Sequence, residues 1–331
     1  MVTSHDVAKL AGVSQPTVSR ALRDDSRLSA ATKQRVREAA AALGYSPNAI
    51  GRALSVGRST SIGLVLTDLN NQFYPYVIAP MHAELEKLGY QLVLITESSE
   101  SGPVADHVAA NGLCGVILAT TTVDSVLPVR LSDRAVPFVY FNRVAQSVAA
   151  DAVTVDPVPG VREMVRALAE QGHERIGAIF GPRNTSTGEE RETAVRDLLQ
   201  EQDLTLVSRN VLHGPFDFQT GHAGARELLD RPKPPTVIVC GNDVVALGVL
   251  NAAAELGTRV PDELSVVGFD DLPSSAWALI QLSTVAYDLD EMSRAAARLI
   301  VERVEGRGKE HRKAVFPTHY VPRATLGPAP R

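Results

Sequence analysis

Apolar residues near the N-terminus recur at helical spacing in two short segments that a glycine separates. They fall on one face between Ser4 and Ala11, and again between Ser14 and Leu22. Ser4 and Ser14 are suited to cap the two helices, and Gly12 supplies the backbone freedom for a sharp turn. The pattern predicts a helix-turn-helix, with an ordinary helical hairpin as the alternative, since helix corners with glycine are common.

The second segment carries polar side chains on the face away from its apolar positions, at Gln15, Thr17, Ser19 and Arg20. Glutamine and arginine pair with base edges in the major groove, which admits a helix. A third helix is predicted for residues 29–43, because Ser29 can cap it and Gly44 can end it. Three such helices favour a DNA-binding head over a plain hairpin.

Residues 47–55 form a short apolar and basic segment that includes Gly51. This length is below the ~12–15 residues that an isolated helix needs to persist in water, and the glycine weakens it further. We therefore predict that the segment becomes helical only against a partner or a ligand.

From Ser61 the pattern changes to apolar strands that alternate with helices, which is typical of parallel sheets covered on both faces. The chain contains two such sets, so an α/β core of two doubly wound lobes is predicted. The predicted strands lie at 62–66, 91–96, 115–119, 137–141, 176–180, 236–240 and 264–268, and the predicted helices at 76–88, 161–171, 190–201, 218–229 and 244–256.

Polar and aromatic residues follow several of these strands, and ligands bind at the carboxyl ends of strands in doubly wound sheets. The candidates are Phe73, Asn142, Arg191, Asn242 and Asp270. Structural roles remain alternatives: residues 242–243 can cap the following helix, residues 270–271 can form a turn, and Arg191 can belong to a solvated patch with its glutamate neighbours.

Charge is divided unevenly along a chain of 331 residues with a net charge of −5. Residues 1–60 hold nine Lys or Arg and four acidic residues, a net charge of +5, so the remainder carries −10. A basic head on an acidic body places phosphate neutralisation at one end of the molecule.

Several other classes of protein are disfavoured by the sequence. No apolar run approaches the ~18–20 residues of a membrane helix, and no secretory signal is recognisable, so we expect a cytoplasmic protein without a membrane role. Cys114 and Cys240 lie in strand-like contexts and are expected to be buried thiols. The eight histidines show no metal-ligand spacing, and His5, His107, His173 and His222 are expected on surfaces. No cofactor is implied.

Three N-terminal segments, DVAKLAGVSQPTVSRAL, RLSAATKQRVREAAAALGYSPN and RALSVGRSTSIGLVL, resemble the head, hinge and core entry of the lactose-repressor/galactose-repressor family of bacterial transcription regulators. GHERIGAIFG, VCGNDVVALGVL and LSVVGFDDL extend the resemblance over almost the whole chain. The sequence departs from the family's pattern near the cleft, for example at Cys114 and Ala194, so the resemblance does not identify the effector. The family's fold is a small all-α helix-turn-helix head on a periplasmic-binding-protein-like core.

The resemblance implies a head at 1–46, a hinge at 47–58 and a core at 59–331. The core would have an N-lobe at 61–156 and 288–316 and a C-lobe at 160–284 and 318–331. It implies DNA contacts by Thr3, Ser14, Gln15, Pro16, Thr17, Ser19, Arg20, Asn48, Arg52 and Leu54, with Leu54 as a minor-groove wedge. It adds Phe216 as a ring that stacks on the effector, and assigns effector contacts to Arg191, Asn242 and Asp270.

The predicted function is therefore a ligand-responsive, sequence-specific transcriptional regulator, most simply a repressor that binds a pseudo-palindromic operator as a homodimer. A small polar effector, a sugar or a nucleoside-like molecule, would occupy the cleft between lobes. An enzyme is one alternative, because the fold does not decide function, but no catalytic motif is present. A sugar-binding protein or sensor without a DNA role is the other.

Overall fold

The computed structural model describes residues 2–22, 25–45, 59–96, 102–308 and 310–330. The chain forms two compact units, Met1–Ser59 and Thr60–Arg331. Among the described residues, none of the helices combines the length and hydrophobicity that crossing a membrane requires. The predicted hinge contacts of Asn48, Arg52 and Leu54 lie outside the described residues.

The first unit contains three helices around a small apolar core. They are α1 (Ser4–Ala11), α2 (Gln15–Leu22) and α3 (Ala30–Ala42). Val7, Val18 and Val36, one from each helix, are almost completely buried together. Gly12 ends α1 in the left-handed region at a φ of 63°, which is the conformation that a tight corner between two helices requires. The predicted helix-turn-helix geometry is thus present.

The caps of these helices differ in one case from the prediction. Thr3, and not Ser4, is the N-cap residue of α1: its N–H and its hydroxyl both donate to the Asp6 carboxylate, at 2.8 and 2.7 Å. An acidic side chain three residues into a helix completes a reciprocal cap of this kind. Ser29 caps α3 as predicted, because its Oγ accepts the N–H of Thr32 at 3.2 Å.

The second unit contains two six-stranded sheets. The first has the order β11-β5-β4-β3-β1-β2 and is parallel throughout, with strands β1 (Ser61–Leu66), β2 (Gln91–Thr96), β3 (Gly115–Leu118), β4 (Phe138–Phe141), β5 (Asp151–Asp156) and β11 (Lys313–Pro317). The second has the order β12-β10-β9-β8-β6-β7, with strands β6 (Ile176–Phe180), β7 (Val211–His213), β8 (Val237–Cys240), β9 (Ser265–Asp270), β10 (Ser283–Ala286) and β12 (His319–Val321). Only β12 runs antiparallel to its neighbour among the described pairs.

Eight helices accompany these sheets in the described part of the second unit. They are α4 (Phe73–Lys87), α5 (Gly102–Ala110), α6 (Leu127–Asp133), α7 (Val158–Glu170), α8 (Ser186–Gln200), α9 (Phe218–Leu229), α10 (Asp243–Glu255) and α11 (Leu289–Val304). The first lobe comprises the first sheet with α4–α6 and α11, and the second lobe comprises the second sheet with α7–α10.

Helices α4, α7 and α8 begin three or four residues before their predicted starts at 76, 161 and 190. In α8 the reason is a cap that the prediction missed, because the Thr185 Oγ1 accepts the N–H of Gly188 at 3.2 Å. In α7 a proline occupies the first turn, where no backbone donor is required.

The chain passes between the two lobes three times, after β5, after β10 and between β11 and β12. Two of these crossings are tied together at Thr318. Its Oγ1 donates to the Asp156 carbonyl at 2.8 Å and accepts the N–H of Gly160 at 2.9 Å. A Cβ on Gly160 would lie 2.9 Å from the His319 backbone nitrogen, so this close approach requires glycine.

Candidate functional site

The carboxyl ends of strands from both sheets meet at a small cavity of about 30 Å³. All six candidates that the sequence suggested for effector contact line it, namely Phe73, Asn142, Arg191, Phe216, Asn242 and Asp270. Sequence reasoning missed the further lining residues Asn71, Tyr74, Ala119 and Thr187. Asn71 and Tyr74 flank Phe73, Thr187 lies on the helix of Arg191, and Ala119 directly follows β3, so proximity to strand ends and to the candidates is the signal that could have identified them.

Arg191 on α8 is held at the carboxyl ends of two strands of the second sheet, β8 and β9. Its Nη2 donates to the Asp270 Oδ1 at 2.8 Å, and its Nη1 donates to the Gly241 carbonyl at 2.7 Å. The two charged side chains are only 6% and 3% exposed, so the alternative of a solvated patch with neighbouring glutamates is wrong. Its guanidinium also lies 3.8 Å from the centre of the Phe269 ring.

Asp270 occupies the end of β9 with a positive φ of 113°, a conformation that non-glycine residues rarely adopt. Burial raises the pKa of its carboxyl group, and Arg191 and the Tyr287 hydroxyl oppose that shift. The Tyr287 hydroxyl donates to Oδ1 at 3.1 Å. The second lobe therefore presents an oriented carboxylate and guanidinium to the cavity.

The neighbouring residues Asn242 and Asp243 have different roles. Asn242 is the N-cap of α10, since its Oδ1 accepts the Val245 N–H at 2.9 Å, and the helix begins at Asp243 rather than at Val244. Asp243 is completely buried and accepts hydrogen bonds from the Leu272 N–H and from the hydroxyls of residues 275 and 284. Burial raises the pKa of Asp243 to about 7. Asp243 therefore acts on the site indirectly, through its hydrogen bonds to residues 272, 275 and 284, and does not cap the helix.

Phe216 closes the cavity from the second lobe. Its ring packs against Gly181, where a Cβ would lie 2.0 Å from the ring carbon Cζ. The guanidinium carbons of Arg143 and Arg191 lie 5.3 and 5.7 Å from the ring centre, within the range of cation–π contacts. Gly181 therefore has to be glycine for the ring to occupy this place.

The first lobe contributes the segment before α4 and the end of β4. The Asn71 Nδ2 donates to the Phe216 carbonyl at 2.8 Å, and its Oδ1 accepts the Phe73 N–H at 3.0 Å. Asn142 has a positive φ of 65°. Within the described residues, the buried Asn142 Oδ1 and Thr187 Oγ1 have no hydrogen-bond partner.

In the first unit, the predicted DNA-contacting residues of the head lie on and around α2. Thr3, Ser14, Gln15, Pro16 and Arg20 are exposed, and Thr17 and Ser19 are half-buried. The Gln15 Nε2 donates to the Ser4 Oγ at 3.1 Å, which links the start of α2 to the start of α1. The exposed start of α2 is thus the face available to a groove.

Other candidate chemistry is structural. His173 was expected on the surface, but it is buried, with its Nδ1 2.9 Å from the Thr236 Oγ1 and its Nε2 3.0 Å from the Gly327 carbonyl. Burial lowers its pKa, which favours the neutral ring. Cys240 is buried and Cys114 is half-buried, both as free thiols. In the part of the chain that the structure describes, no cluster of three or more ligating side chains could hold a metal ion.

Two family models match the chain: "Bacterial regulatory proteins, lacI family" over residues 3–48, and "Periplasmic binding protein-like domain" over residues 165–326. The transcriptional regulator CelR of Thermobifida fusca is 33% identical over 96% of both chains. The transcriptional repressor CytR of Escherichia coli K12 is 30% identical over 92% of this chain and 90% of its own.

Solved structures agree with these matches. The lac repressor dimer bound to operator and the anti-inducer ONPF superposes with a TM-score of 0.85 at 25% identity, over 98% of this chain and 99% of that one. The complex of the regulator CelR with cellobiose gives a TM-score of 0.75 at 31% identity, over 98% of this chain and 100% of that one.

Proposed function

Because this chain belongs to the lacI family of bacterial regulatory proteins, we propose that it is a repressor whose affinity for a pseudo-palindromic operator is controlled by an effector in the interlobe cleft. It is a DNA-binding transcriptional regulator and not an enzyme. The observation that carries the proposal is the convergence of strand ends from both lobes on one polar cavity, in a chain that also has a helix-turn-helix. We place its action in the cytoplasm, where the operator is.

The proposed effector is a small molecule with several hydroxyls or ring nitrogens, such as a sugar or a nucleoside. Asp270 supplies an acceptor, Arg191 supplies donors, and the Phe216 ring supplies an apolar face for a sugar or base ring. Buried polar atoms are normally hydrogen-bonded, so the unpartnered Asn142 Oδ1 and Thr187 Oγ1 on the cavity wall favour a ligand with polar groups at those points.

The proposed dimer face includes the segment after β9. Leu279 is fully exposed and Trp277 is 60% exposed, which is unusual for side chains of this size and polarity. Beside them lies a hollow of about 340 Å³ lined in part by Leu250, Val260 and Ile280. A second copy of the chain would cover this apolar surface, and two heads would then address the two half-sites of an operator.

Selection of DNA from a random library by the full-length protein tests the proposal, and a two-fold-symmetric consensus is the expected result. Arg20→Ala should then weaken binding to that consensus by about 1–3 kcal/mol and binding to unrelated DNA much less, because a base contact is lost. Titrations on both DNAs at one salt concentration measure the difference. Lys33→Ala is the control for a phosphate contact, and equal losses of Arg20→Ala on both DNAs would contradict base readout.

A thermal-shift screen of sugars and nucleosides tests the effector class. A ligand that binds only the folded core at 100 times its dissociation constant should add about 2.7 kcal/mol to the free energy of unfolding. The same compound should change the affinity of the protein for operator DNA, and operator DNA should change the affinity of the protein for the compound by the same factor. A compound that stabilises the protein without any effect on DNA binding would instead support the alternative of a sugar-binding protein or sensor without a DNA role.

A further inference from the structure

The interlobe cleft of this structure is closed to a degree that excludes an effector. Its cavity of about 30 Å³ holds one or two water molecules, whereas pockets for small molecules have about 300–1,000 Å³. A sugar or nucleoside can therefore reach Arg191 and Asp270 only after the lobes separate or the Phe216 ring moves. Whatever holds the cleft closed competes directly with effector binding.

Hydrogen bonds between described residues cross from the first lobe to the second around this cavity. The Val123 N–H donates to the Asn184 carbonyl at 2.9 Å, and the Val144 N–H donates to the Ser186 Oγ at 3.1 Å. The third joins the Asn71 amide to the Phe216 carbonyl at 2.8 Å. Of these three bonds between described residues, the third alone uses, on both sides, residues that line the cavity.

Asn71 is suited to this contact because its own side chain is fixed. Its Oδ1 accepts the Phe73 N–H at the start of α4, which orients the Nδ2 toward the second lobe. The residue that accepts the bond is the one whose ring fills the space against Gly181 and beside two guanidinium groups. The position of the Phe216 backbone, and with it the ring, is therefore tied to the first lobe.

We propose that Asn71 is a positioning residue that holds the cleft closed and keeps Phe216 in the site, so that an effector binds by displacing this cross-cleft bond. Its regulatory meaning rests on the function proposed above, since a cleft that opens more readily changes the balance of states that the effector shifts. The closure itself is a property of the free protein. It can be measured without DNA and without an effector.

Hydrogen exchange on the free full-length protein provides the test, with the amides of Val123 and Val144 as reporters on the two other cross-cleft bonds. Asn71→Ala and Asn71→Asp both remove the amide donor, and the aspartate keeps an acceptor for the Phe73 N–H. Both variants should exchange these two amides about five- to tenfold faster than the wild type, the effect of one lost hydrogen bond on an opening equilibrium.

Two controls separate closure from general loosening. Gln72→Glu makes the same change from amide to carboxylate one residue away, at the N-cap position of α4, where the side chain is exposed and makes no capping hydrogen bond. It should leave both reporters unchanged. The Val116 amide, which donates to the Pro137 carbonyl within the first lobe, should keep its wild-type rate in every variant.

Faster exchange in Asn71→Ala alone would overturn the proposal, because the acceptor that caps α4 would then be the group that matters. Unchanged reporters in both variants would overturn it as well. Neither result bears on operator recognition or on the effector screen, so the repressor function stands or falls on those separate experiments.

Discussion

Replacing Leu279 by aspartate is expected to dissociate the dimer and to weaken operator binding by about 10²–10⁴-fold, the largest effect on DNA binding that we predict. Because Leu279 is fully exposed beside Trp277, the substitution should not destabilise the monomer. At the centre of an apolar dimer contact, however, the carboxylate would be desolvated without a partner. Once the two heads are no longer linked, each half-site is bound independently, and the gain from effective concentration is lost.

Sedimentation of the free protein and titration of the operator are the two measurements. Val126→Asp is the matched control, because Val126 is an exposed apolar residue of the first lobe, 47% exposed, that lies outside the hollow lined by Leu250 and Ile280. It should leave both the dimer and the operator complex intact. A Leu279→Asp protein that still sediments as a dimer would place the dimer face elsewhere on the core.

Much of the fold could be predicted because the hydrophobic pattern is local. Continuous apolar runs identified seven of the strands, and the positions of Gly12 and Ser29 identified the corner and the cap in the head. The predicted helix starts are wrong where a side chain hydrogen-bonds to the backbone at the beginning of the helix. Thr3 and Thr185 are caps that precede the apolar periodicity, so a reading based on that periodicity alone begins each helix too late.

The site could be predicted as a set of residues but not as an arrangement. Strand ends of parallel sheets converge, and that rule predicts five of the six candidates, whereas Phe216 is added by the resemblance to the family. The sequence does not say that Arg191 pairs with Asp270, which lies 79 residues away, or that Asn71 reaches Phe216. For the same reason the sequence does not show that His173 is buried, because its partners are Thr236, directly before β8, and Gly327 in the C-terminal segment.

The Arg191–Asp270 pair carries the largest expected effect on stability. Asp270→Ala should lower the free energy of unfolding by about 3–5 kcal/mol, because it leaves a guanidinium that is 6% exposed without its carboxylate. Urea unfolding monitored by far-ultraviolet circular dichroism measures this loss. Asp271→Ala is the matched control, since Asp271 also pairs with an arginine, Arg323, but its side chain is 25% exposed, and the loss should be smaller.

Asp270→Asn separates the role of the carboxylate in effector binding from its role in folding. The asparagine keeps an acceptor for the Tyr287 hydroxyl and for Arg191, so the core should fold with a smaller loss than in the alanine variant. Without the charge, the site loses its strongest acceptor for effector hydroxyls, and the operator complex formed without effector should be unaffected while the response to effector disappears. Calorimetry with the compound that the thermal-shift screen identifies checks this result, and wild-type affinity in the asparagine variant would remove Asp270 from the effector site.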